Sequence, residues 1–128
     1  MSSLKTLSCI LALSAAPAAA LDGAADPQLR FFASCTGRLS ALMEHQWNYD
    51  MAAVDQTTLY RSEMIELVSA IMPADAGRDV LLMRVEAKHA QASLLRRAVM
   101  SRDPSDANWA KSRAEALLQD CTSVLLSQ

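Results

Sequence analysis

Residues Phe31–Trp47 read FFASCTGRLSALMEHQW. Phe32, Cys35, Leu39 and Leu42 recur at i, i+3, i+7 and i+10, the spacing that lines one stripe of an α-helix. A cysteine on such a stripe faces the interior. Upstream, Asp26-Pro27 is a helix start, with an acidic cap for the free amides and a proline at the first helical position. The first helix is therefore expected over about residues 27–47.

Three further segments carry the same 3.6-residue period. The second, about 56–72, has Asp55 before it and Pro73 after it, and carries Tyr60, Met64, Ile65, Val68, Ile71 and Met72 on its apolar side. The third, about 78–101, has the stripe Leu81, Val85, Ala92, Leu95 and Val99, interrupted by Lys88, whose ammonium is expected to reach out to the edge. The fourth, about 105–127, opens at Asp103-Pro104-Ser105 and repeats Ala110, Ala114, Leu117, Cys121 and Val124, widened by Leu118 and Leu125. No segment alternates with a period of two, and glycine occurs only at positions 23, 37 and 77. The expected fold is all-α: a small antiparallel four-helix bundle. Gly37 lowers helix propensity and leaves room for a close helix contact.

The N-terminus reads MSSLKTLSCILALSAAPAAALDG. Lys5, the apolar run Leu7–Ala16 and the small residues Ala18–Ala20 follow the order of a secretory signal peptide, with cleavage expected after Ala20. Cys9 lies inside the apolar run, where a lipid-anchoring cysteine does not belong. Residues 1–20 are thus expected to be removed, leaving 21–128 as one helical domain, periplasmic or secreted, with no membrane insertion of its own. The formal net charge of −2, made more negative by loss of Lys5, disfavours nucleic acid as a partner.

Removal of the leader leaves Cys35 and Cys121, an even pair in a chain bound for an oxidising compartment. In an up-down-up-down bundle the start of the first helix lies beside the end of the last. Cys35 is eight residues past Pro27 and Cys121 seven before Gln128, so the thiols stand about 12 Å and 10 Å from the same end. A Cys35–Cys121 disulfide between the first and last helices is expected.

Catalytic and metal signatures are weak. The histidines His45 and His89 fall at different heights of such a bundle, and no C-x-x-C or H-E-x-x-H occurs. Glu44, His45, Glu86, Lys88 and His89 include acids and bases, but no nucleophile or third orienting group accompanies them. Met43, Met51, Met64, Met72, Met83 and Met100 are scattered as core fillers are, so no cofactor is expected. An exported bundle binding haem or copper through Met and His is the alternative. Arg96, Arg97, Arg102, Lys111 and Arg113 flank the last connection but are interleaved with Asp103, Asp106 and Glu115, the pattern of a wet surface.

One constellation suggests recognition. Trp47 and Tyr49 fall in the first connection and Trp109 begins the last helix, so alternating topology carries all three to one pole. Aromatics there either bind a protein partner or plug the open end of the core. The expected function is a small binding or accessory protein, with no catalytic chemistry of its own, acting on an unknown protein partner.

Overall fold

In a computed structural model, residues 26–127 are described. Four helices run up, down, up and down: α1 (Pro27–Tyr49), α2 (Val54–Ile71), α3 (Gly77–Met100) and α4 (Pro104–Leu126), with one 3₁₀ turn (Met51–Ala53) between α1 and α2. The leader expected at residues 1–20 lies outside the described residues.

Local chemistry explains the starts of α1 and α4. Asp26 Oδ1 accepts hydrogen bonds from the Gln28 and Leu29 amides, and Asp103 Oδ1 accepts from the Ser105 amide at 2.9 Å. Each cap precedes a proline at the first helical position, where a missing N–H costs nothing. Two boundaries depart from the sequence reading. Helix α1 continues two residues past Trp47, to Tyr49. Helix α2 begins at Val54 rather than after Asp55: the 3₁₀ turn feeds directly into it, and Asp55 sits in its first turn, where its charge opposes the positive end of the helix dipole.

Helix α1 is central. It packs most extensively on α3 and next on α2, while α2 and α3 make little direct contact despite being consecutive. Its N-terminal half is accordingly buried on several sides, including Leu29, Ala33, Thr36, Gly37 and Ser40 beyond the expected stripe. At Gly37, α1 and α3 come into backbone contact. A Cβ built on Gly37 would lie 2.1 Å from the Arg84 carbonyl oxygen. The glycine is needed for space alone, since its φ is not positive.

That contact corrects the expected face of α3. Leu81, Val85 and Val99 are exposed, and the helix instead turns Val80, Met83, Arg84, Ala87, Lys88, Gln91, Leu94 and Leu95 inward. Backbone contact at Gly37 fixes the rotation of α3, and the long stems of Arg84 and Lys88 lie along the seam with their charges at its edges. Lys88 Nζ meets Glu44 Oε1 at 2.5 Å, half exposed.

The main apolar cluster lies toward the end that carries the start of α1 and the end of α4. It contains Leu29, Phe32, Ala33, Leu39, Met64, Val68, Ala76 and Val80 around Cys35 and Cys121. The two cysteines form the expected disulfide, with Cα atoms 5.4 Å apart and both residues fully buried. Bonds of this kind persist in oxidising, non-cytoplasmic compartments. Among the described residues no helix is long and apolar enough to cross a membrane.

Candidate functional site

Away from the disulfide the bundle loosens. A groove of about 420 Å³ lies between α1, α3 and α4, toward the end that carries the two short connections. Leu42, Leu95, Ala98, Val99 and Leu118 give it apolar walls, and Tyr49, Lys111 and Glu115 supply polar atoms. Small side chains at Ala98 and Ala114 leave the volume open; a Leu at either would fill part of it.

Two glutamines mark this region as polar at depth. Gln46 lines the groove and is only 9% exposed, yet its Oε1 has no hydrogen-bond partner. Gln91, one turn before Leu95, is 1% exposed; its Nε2 donates to the Ala114 carbonyl at 3.1 Å, while its Oε1 is also unpartnered. A buried carbonyl without a donor costs about 1–3 kcal/mol relative to a satisfied one. The groove wall therefore holds a buried amide whose carbonyl oxygen is left without a donor.

The three aromatics expected at this pole do not plug it. Trp47, Tyr49 and Trp109 are 52%, 61% and 56% exposed. They also do not form one cluster. Trp47 and Tyr49 are two residues apart on a continuous helix and so leave it about 200° from each other. Tyr49 stacks on His45, with ring centroids 4.5 Å apart, and both rings line the groove. Trp109 lies under the Arg97 guanidinium at 5.1 Å. Trp47 belongs to neither arrangement.

Some of the charged candidates are paired. Glu44 binds Lys88, Arg97 binds Asp106, and Lys111 faces Glu115 one turn away. Glu86 and His89 are exposed on α3. Among the described residues no three His, Cys, Asp or Glu side chains gather as a metal ion would require. His45 and Met100 nevertheless line one cleft between α1 and α3.

The Arg97–Asp106 pair gives the pole a pH response. Its hydrogen bond to Arg97, with a second from Ser101, holds the Asp106 carboxyl below the usual aspartate range. A depressed folded pKa means the interaction is intact above the ordinary value near 4 and is lost as pH falls through the lower folded value. With Trp47→Phe leaving Trp109 as the sole tryptophan, emission should change in that acid window while helical circular dichroism persists. Asp106→Asn should abolish the transition; an unchanged transition would assign it to another group.

Comparison with known proteins finds no matching family, no similar curated protein and no similar solved structure. The functional reading rests on the groove and its surroundings.

Sequence reasoning placed Tyr49 at this site but missed Gln46, Leu95, Ala98 and Leu118. The available signal was the coincidence of alanines on α3 and α4 with a glutamine on the inward side of α1. Small and polar residues facing one another signal a poorly filled layer.

Proposed function

We propose that this protein is an exported, non-catalytic binding protein, periplasmic or secreted, that receives an apolar segment of a protein partner in the groove between α1, α3 and α4. The groove carries the reading: a concave, largely apolar surface bounded by an exposed tyrosine, with an unpartnered acceptor in its wall. Such a surface suits one or two apolar side chains of a partner helix, with polar groups at its rim within reach of Tyr49, Lys111 and Glu115. The signal-peptide order of residues 1–20 and the disulfide support export.

Ala98→Phe fills the groove from a half-buried position, and Tyr49→Ala removes its exposed aromatic wall. Each should weaken capture of the partner from exporting cells by about thirtyfold, corresponding to about 2 kcal/mol, with the melting temperature nearly unchanged. Full binding by both variants refutes the groove. Trp47 decides the footprint: a partner confined to the groove is indifferent to Trp47→Ala, whereas one spanning the whole pole loses affinity on Trp47→Ala and Trp109→Ala alike.

The second reading, a bundle holding haem or copper, has one observation in its favour: His45 and Met100 share the α1–α3 cleft. Visible absorbance and metal content of protein purified from its exporting host, compared with His45→Ala, test it.

A further inference from the structure

Because α2 and α3 scarcely touch, a second, polar cleft opens between them, with α1 as its floor. Its volume is about 160 Å³, and it is lined by Gly37, Ser40, Arg61, Leu81, Arg84, Val85 and Lys88. Three cations from two helices converge on a space large enough for a small oxyanion head and too small for an extended chain. We propose that this cleft binds a carboxylate or phosphate head group carried by an amphiphile whose apolar part rests on Leu81 and Val85.

The charge arrangement argues for an anion. Among the described residues the carboxylate contacts are those of Lys88, Arg97 and Lys111; Arg61 and Arg84 have none. Lys88, the third cation of the cleft, is paired with Glu44. Two half-buried guanidinium groups therefore face each other without compensation. Burial, reinforced by the positive charge of Arg61, lowers the pKa of Arg84, the direction expected of a like-charge pair partly out of water. In a chain of net negative charge, surplus carboxylates were available to neutralise these arginines, and the fold leaves them alone.

The hydrogen bonds also leave donors free. Ser40 Oγ donates to the Thr36 carbonyl at 2.8 Å and accepts from Arg61 Nε at 2.7 Å. This holds the guanidinium over α1 by its inner edge. Its two terminal nitrogens make no hydrogen bond among the described residues, and a planar fork of this kind matches a carboxylate or phosphate. Leu81 and Val85, one turn apart on α3, are exposed beside the cations, where water gains nothing from them and an alkyl chain would cover them.

Dodecanoate serves as a free amphiphile, acetate as its head group alone, and phosphatidylglycerol vesicles as a membrane-borne source. Dodecanoate should saturably shift the Arg61 and Arg84 Nε–H resonances and bind at least tenfold more tightly than acetate. The double variant R61Q/R84Q should lose at least tenfold in affinity. Val85→Asp, which adds a negative charge at an exposed rim position, should do the same without touching the core. Vesicle co-sedimentation lost in both variants identifies a lipid as a source; no co-sedimentation with dodecanoate binding retained identifies the free amphiphile. Equal dodecanoate affinity in native protein and Val85→Asp, or shifts confined to Leu42 and Leu118 in the other groove, overturns the proposal.

Discussion

Gly37→Ala should destabilise the domain by about 3 kcal/mol or more, against the usual trend for a helix interior. There, alanine is favoured over glycine by about 1 kcal/mol. Here the new methyl would lie 2.1 Å from the Arg84 carbonyl oxygen and 3.0 Å from the Lys88 amide nitrogen, both backbone atoms that no side-chain rotation can move aside. Relief requires α1 and α3 to separate along the most extensive interface of the bundle, and overpacking of this kind typically costs about 1–3 kcal/mol, occasionally more. For a domain of this size the melting temperature should fall by more than about 10 °C. Gly77→Ala is the internal control: its Cβ meets nothing within 4 Å, so stability should stay level or rise slightly. Equal responses at the two glycines would show that close α1–α3 packing is not what holds the bundle together.

Removing the disulfide should have a comparable effect by a different route. The Cys35–Cys121 bond closes a loop across 86 residues, and loop-closure entropy alone makes such a link worth about 4–5 kcal/mol; measured values are commonly about 2–4. Paired Cys35→Ala and Cys121→Ala substitutions avoid burying a hydroxyl at two fully buried positions. Urea unfolding should then show a midpoint lowered by an amount equivalent to about 2–4 kcal/mol, with native helical circular dichroism retained. Because both cysteines are fully buried, a mild thiol reductant should leave the native bond intact and cleave it only near the unfolding transition. Rapid reduction under native conditions would place the bond in a part of the fold that opens locally.

The two cysteines, one on α1 and one on α4, were visible in the sequence for the same reason: a strong apolar stripe fixed the helical phase of each. Cys35 and Cys121 each fell on such a stripe, and alternating topology supplied the rest. The third helix was harder to read. Its apolar residues Leu81, Val85 and Val99 define a plausible stripe, but the face that packs is set by backbone contact at Gly37, and it turns Arg84, Lys88 and Gln91 inward. Hydrophobicity carries no signal for a seam built on a glycine and covered by the stems of long polar side chains.

The candidate site shows the same division. Tyr49 stood out as an aromatic near a connection, and it lines the groove. Trp47 stood out for the same reason and points elsewhere, because α1 continues through both residues and separates them around its axis. The groove depends on how small residues of α3 and α4, such as Ala98 and Ala114, sit opposite Gln46 and Leu42 of α1. That is a relation among three helices, and no single helical period contains it. The Arg61–Arg84 cleft was hidden likewise, since it exists only because α2 and α3 stand apart on either side of α1.

The most direct test of groove-mediated binding is site-specific photocrosslinking in the exporting cell. A photoreactive phenylalanine analogue placed at Tyr49, which lines the groove, should yield one defined protein adduct. The same analogue at the exposed Glu66 of α2, away from the groove, should yield none. An adduct formed from position 66 and not from position 49 would contradict the account.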